Sequence, residues 1–147
     1  MVEALTSSVA LIAGHVDRLY RECPARLNHN DYHGKNLLRV GEGLVPVDWA
    51  NARISPHLGD LYCLIEEAED QHIPRAAIVE AYKSAAQRLG LREEVSDWHL
   101  DIGGLCWSIH CLQWILEFGL EAIPIARNWV PDFLFDMCQM VSRLSRG

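Results

Sequence analysis

The stretch from Val95 to Phe118 constrains everything else in this sequence. Read at helical spacing it carries two apolar stripes, Trp98, Ile102, Leu105, Ile109, Leu112 and Leu116 on one and Trp107, Cys111, Trp114 and Phe118 on the other. Only a narrow strip around Asp97, Asp101, Ser108 and Glu117 is polar. A helix that is apolar over most of its circumference belongs in the centre of a core, with other elements packed around it. The run from Leu100 to Leu120 also contains Asp101, His110, Gln113 and Glu117, which is too polar for a bilayer, so no membrane partner is expected.

The rest of the chain supplies the surrounding elements. With 147 residues, half of them hydrophobic and 22% charged, it is long enough for one core and reads as a single domain, 1–147. Leu5, Val9, Ile12, Val16 and Leu19 mark one face of a helix from about Ala4 to Glu22, which Pro24 should stop. A second helix is expected from near His57 to Gln71, with Leu58, Leu61, Tyr62, Ile65 and Ala68 inward and Asp60 in its first turn. Its run Glu66, Glu67, Glu69 and Asp70 reads as a solvated face. Pro74 opens a third helix with the stripe Ile78, Ala81, Tyr82, Ala85 and Leu89, closed by Gly90. After Pro124 and Pro131 a last helix should carry Phe133, Leu134, Met137, Val141 and Leu144. The fold class is therefore mainly α.

The one convincing β unit is a hairpin. Leu37-Leu38-Arg39-Val40 and Leu44-Val45-Pro46-Val47 flank Gly41-Glu42-Gly43, and an isolated hairpin should lie on helices for stability. The segment Asn51 to Gly59 that follows, with Ser55-Pro56 as a turn signal, reads as irregular. The hairpin joins the loop Leu27-Asn28-His29-Asn30-Asp31-Tyr32-His33-Gly34-Lys35-Asn36 to Asp48-Trp49, so Asp31, Asn36 and Asp48 should converge. Phosphoryl transfer from a nucleotide needs such a set: a carboxylate for the attacking hydroxyl and oxygen ligands that hold Mg²⁺ against the phosphates. Asp31 can be the carboxylate, Asn36 can give a neutral oxygen and Asp48 an anionic one. Gly34-Lys35-Asn36 is not a P-loop, lacking the upstream Gly and the Ser or Thr.

The order His29-x-Asp31-x-x-x-x-Asn36, then Val47-Asp48-Trp49, then Asp60-Leu61 resembles the catalytic and metal-binding segments of the aminoglycoside phosphotransferase and choline kinase-like enzymes, relatives of the protein kinases. The specific motifs lie between Leu27 and Leu61. Asn30 stands where that family often has Gly, and Gly34-Lys35 where it often has Pro-Gly. The resemblance implies the helical C-lobe of a protein kinase-like fold, an α+β superfamily. It implies Asp31 as catalytic base, Asn36 and Asp48 as Mg²⁺ ligands, and His29, His33, Lys35 and Asp60 as support for the loop and nucleotide. Asp60 would brace the loop through backbone N–H groups. ATP or GTP is the implied donor, and a hydroxyl of a small molecule such as an aminoglycoside or choline the acceptor. No phosphate-covering Gly-rich turn or Lys precedes the loop, where there is room for one helix. The N-terminal β lobe is therefore expected to be absent. The chain would be either an incomplete enzyme awaiting that lobe or a silent lobe that binds a partner, a second copy included.

Other readings of the same residues are weaker. A net charge of −7 lacks the basic footprint of a nucleic-acid binder and mildly suits a cationic substrate. Five cysteines without a C-x-x-C pair read as reduced thiols of the cytoplasm, and Met1-Val2-Glu3-Ala4 has no basic start of a signal peptide. His29 and His33 have zinc-like spacing, but Gly34 and the strand after it argue against a helix there. Burial is favoured over chemistry for Cys106, His110 and Cys111, and core packing over a ligand pocket for Trp98, Trp107 and Trp114.

Overall fold

The computed structural model describes residues 2–91 and 94–146. Helix α1 (Val2–Glu22) leads into strand β1 (Arg26–Asn28), and a 3₁₀ turn (Gly34–Asn36) leads into β2 (Leu37–Val40) and β3 (Gly43–Pro46). A second 3₁₀ turn (Trp49–Asn51) precedes β4 (Arg53–Ser55), after which the chain is helical: α2 (Gly59–Asp70), α3 (Arg75–Arg88), α4 (Asp97–Trp114), α5 (Leu120–Ala122) and α6 (Val130–Leu144). The chain is mainly α, as its periodicity indicates.

The first half of α4 is the central element, as expected: Ile102 and Leu105 are fully buried between Leu19 of α1, Tyr62 of α2 and Met140 and Leu144 of α6. The second half of the expected stripes does not reach the core, because Ile109, Trp114, Leu116 and Phe118 are exposed. Nearer the start of α4, Leu100 closes a second cluster with Leu58, just before α2, and Leu61 and Ile65 of α2, against which Ile78, Val79 and Tyr82 of α3 pack. On α3 the inward face is thus shifted from the expected stripe, and Leu89 is exposed while Ala86 is buried. On α1 the stripe works only in its second half, because Ile12, Val16 and Leu19 reach the core while Val9 is exposed. The side chain of Leu5 lies outside the described residues.

Two of the four residues on the expected polar strip do not face water, and both lie on α4. Asp101 is 4% exposed and Ser108 1%. Arg143 of α6 explains the first, its Nε and Nη2 both donating to the Asp101 carboxylate at 2.8–3.1 Å. The partner lies 42 residues away, out of reach of any local pattern.

Glycine lets α2 start against α4. A Cβ on Gly103 would stand 2.9 Å from the Leu58 carbonyl carbon and 3.1 Å from its oxygen, and this obstacle is backbone that cannot rotate away. Gly103→Ala is expected to lower stability by about 1 kcal/mol in urea unfolding. Overpacking of about 1–3 kcal/mol outweighs a helix-propensity gain of about 1 kcal/mol. Unchanged stability would show that the two helices can part freely.

The expected hairpin forms, with Leu38 opposite Val45 and Val40 opposite Gly43; its turn is the two residues Gly41-Glu42, since Gly43 already belongs to β3. Two expectations about β structure change. The hairpin does not lie on helices, for Leu38, Val40, Leu44 and Val45 are all exposed. Nor is it the only β unit: β1 and β4 form a second antiparallel pair, Leu27 opposite Ile54, within a stretch that reads as irregular. That pair is fastened by a side chain, Asn28 Nδ2 donating to the carbonyl and hydroxyl oxygens of Ser55 at 2.9 and 2.8 Å. Among the described residues no helix is long and apolar enough to cross a membrane.

Candidate active site

The loop from His29 to Asn36 is held from below by α2. A carboxylate in the first turn of a helix is favoured by the free N–H groups there, but Asp60 serves the neighbouring loop instead. It accepts from the backbone N–H groups of His29 and Asn30 at 2.6 and 2.8 Å. Two turns on, Glu67 accepts from the N–H of Gly34 at 2.6 Å. Glu67 therefore does not belong to a solvated face; it fixes the far end of the same loop. Asn30 sits in the left-handed region, φ 62°, which Asn tolerates better than most non-glycine residues. Its amide donates to Asn51 O at 2.9 Å.

A second set of bonds fixes Asp48 relative to the loop. Val47, the residue before it, is gripped on both sides. Its N–H donates to Asn36 O at 2.9 Å, and its carbonyl accepts from His29 Nε2 at 2.8 Å. A carbonyl can only accept, so His29 carries its proton on Nε2, and its buried Nδ1 has no partner. The His29 ring lies 4.6 Å from Trp49 and 5.9 Å from Tyr32, centroid to centroid. His29 thus ties both halves of the motif together.

Asn36 Nδ2 donates to Asp31 Oδ2 at 2.8 Å and to Asp31 O at 2.9 Å, which fixes the orientation of the amide. His33 Nε2 lies 3.3 Å from Asp31 Oδ1, and His33 Nδ1 accepts from the Lys35 N–H at 3.3 Å. Asp31, Asn36, His33 and His29 are therefore brought together, with Asp60 beneath them. The Lys35 side chain is exposed and makes no ion pair among the described residues. The rings of His29 and His33 are engaged separately, so the spacing that suggests a zinc pair does not form one.

Two oxygen groups remain without a hydrogen-bond partner among the described residues, Asn36 Oδ1 and the Asp48 carboxylate. Asp48 also has left-handed backbone, φ 63° and ψ 62°. Such a conformation costs a non-glycine residue roughly 1–3 kcal/mol and persists where its surroundings enforce it. One neutral and one anionic oxygen suit a hard cation such as Mg²⁺, which takes one or two protein carboxylates and completes its shell with water and phosphate. No group of three or more His, Cys, Asp or Glu side chains suited to a metal occurs among the described residues.

Asp31 and Asp48 line a cleft of about 510 Å³ together with Trp114, Trp129 and Phe133, and with His110 and Cys111. Of the tryptophans considered from the sequence, Trp114 lines this cleft. Trp98 instead packs beneath Arg18, whose guanidinium lies 4.3 Å from the ring centre, and Trp107 packs on Tyr62 and Phe133. Trp129 and Phe133 had no signal beyond being aromatic, because nothing near them in sequence bears chemistry. His110 accepts from Arg53 of β4 at 3.3 Å; burial lowers its pKa, Arg53 adds to this and Asp31 opposes it. Burial, with Asp31 second, pushes the Cys111 thiol up to about 12, and burial pushes Cys106 up to about 11. Neither is a nucleophile near neutral pH.

A shallower cleft shares Trp129 and Phe133 and carries Glu66, Asp132 and Asp136. Burial raises the Glu66 pKa most, Asp136 and two other acids add to it, and a hydrogen bond with Tyr62 opposes.

Compared with curated proteins and with solved structures, the chain matches none. The motif segment, in contrast, has a clear family match. The profile of the phosphotransferase enzyme family covers residues 3–98, from α1 to the first turn of α4, and the chain belongs to that family.

Proposed function

We propose that the chain is the catalytic and acceptor-binding lobe of a phosphotransferase that moves the γ-phosphoryl group of ATP or GTP to a hydroxyl of a small cationic molecule, an aminoglycoside, choline or similar. The single observation behind this is the double grip on Val47, which ties the residue before Asp48 to Asn36 and His29 of the loop that carries Asp31. In this reading Asp31 accepts the proton of the attacking hydroxyl and orients it. Asn36 and Asp48 would hold Mg²⁺, which when bound neutralises charge on the transferring group. Asn36 also keeps the Asp31 carboxylate in place, and Asp60 and Glu67 prevent the loop from yielding. His33 and Lys35 at the loop's exposed end face the nucleotide. A cationic acceptor is favoured by Asp132 and Asp136 beside the cleft, which have no basic partner among the described residues, and by its aromatic walls.

The test is transfer from γ-labelled ATP or GTP to a panel of hydroxyl compounds at graded Mg²⁺. Asp48→Asn is expected to raise the Mg²⁺ concentration for half-maximal transfer by at least about tenfold. Transfer that survives removal of Mg²⁺ by a chelator would overturn the assignment of Asn36 and Asp48.

A second reading rests on the exposed apolar side chains of the hairpin, Leu38, Val40, Leu44 and Val45. A surface of this kind suits association with a further lobe or a second copy of the chain. A silent lobe would sediment as a dimer and bind no Mg-nucleotide.

A further inference from the structure

Beyond Trp114 the helix changes pitch. Residues Ile115–Gly119 form a π turn, after which α5 resumes the ordinary winding. Such turns are rare and often mark functional sites. This one lies at the wall of the acceptor cleft. In an α-helix positions i and i+4 share a face, so Phe118 would stand beside Trp114. The π turn brings i+5 into that place. Gly119 comes under the indole and is buried there, and Phe118 turns outward and is exposed. A Cβ on Gly119 would lie 2.8 Å from Trp114 Cζ3 and 3.2 Å from Cε3. The indole therefore rests where only a glycine leaves room for it.

We propose that Gly119, through the π turn, is a positioning residue that lays the Trp114 ring into the acceptor cleft that Asp31 and Asp48 also line, and that Trp114 determines which acceptors fit. The inference rests on the reading of this cleft as the acceptor site. Both residues lie outside the span that the family profile matches. A side chain at position 119 must push the ring off the helix, and the ring's outward route leads into the cleft or away from it. Either movement changes the shape of the cleft that the indole and the two carboxylates line.

The test is a titration of the ¹⁵N-labelled protein with tetramethylammonium chloride, a probe for aromatic walls beside carboxylates. It is followed by the indole N–H signals, with Trp114 assigned from Trp114→Phe. In the wild-type protein the Trp114 and Trp129 signals are expected to shift saturably. Gly119→Val should displace the Trp114 signal before any probe is added and raise the apparent Kd about tenfold, and Gly119→Ala should do the same to a lesser degree. Leu116→Ala, an exposed change in the same turn, should do neither. In a Trp114→Ala background Gly119→Val should add nothing further to the Kd, an outcome that general damage to the helix would not give. The proposal is overturned if Gly119→Val leaves the Trp114 signal and the Kd unchanged, or if the probe moves neither indole in the wild-type protein. Failure of the phosphotransferase reading shows up elsewhere, in turnover of Asp31 and Asp48 variants, which this titration does not use.

Discussion

Replacing Asp31 with Asn is expected to lower the turnover of phosphoryl transfer by about 10²–10⁴-fold, the range that a positioned general base contributes. The substitution preserves the size of the side chain. Its carbonyl oxygen can still accept from Asn36 Nδ2, which now lies 2.8 Å from Asp31 Oδ2. The loop is also held independently by Asp60 and Glu67 through three backbone N–H groups. The loss should therefore fall on kcat, with the KM for nucleotide nearly unchanged, since an interaction used only in the transition state has been removed. Steady-state kinetics with varied nucleotide and acceptor separate the two constants. Wild-type-like turnover would show that Asp31 is not the base. A rise in nucleotide KM with unchanged kcat would move its role from proton transfer to binding.

Arg143→Ala is expected to give the largest loss of stability, about 3 kcal/mol, equivalent to a fall in Tm on the order of 10 °C for a chain of this length. The substitution leaves the carboxylate of Asp101 in the core beside Ile102 and Leu105 with both of its guanidinium donors gone. Breaking a buried pair costs about 3–5 kcal/mol, and the lower end applies because the Arg143 side chain is nearly half exposed and water can partly replace it. Arg143→Lys should fall between, keeping the charge and losing the two-pronged geometry. Pairing Arg143→Met with Asp101→Leu should recover much of the loss, because no uncompensated charge remains. Thermal unfolding of the four proteins checks this, and a loss below about 0.5 kcal/mol for Arg143→Ala, as at an ordinary surface site, would mean that the pair does not join α4 to α6.

The first half of the central helix was legible because its apolar positions run most of the way round. The second half was not, since Ile109, Trp114, Leu116 and Phe118 carry the same pattern and are exposed. The loop was legible because its chemistry sits at fixed spacings within a short stretch, and Asp60 was recognisable from the same spacing. Residues whose partners are remote were not legible. Asp101 looks like a surface acid until Arg143 arrives from 42 positions away. Glu67 looks like one of four solvated acids until Gly34 is placed against it. The β1–β4 pair has three residues per strand and no alternation, and a side-chain amide rather than a pattern holds it. The hairpin misled in the opposite direction, since apolar residues normally indicate burial and here they face outward. The aromatic lining of the cleft comes from two segments separated by α5, and the change of helical pitch after Trp114 has no marker in the sequence besides Gly119.

Because Asn36 and Val47 are joined by their own backbone hydrogen bond, the ten residues between them hang from a closed ring. Whatever happens at Gly41-Glu42 ends at that bond. The hairpin should therefore be the place where the chain accepts inserted sequence, a tag or a reporter loop, without moving the oxygens of Asn36 and Asp48 relative to one another. In engineering terms it is a detachable handle, whereas a single added residue anywhere from His29 to Asn36 would dismantle the centre.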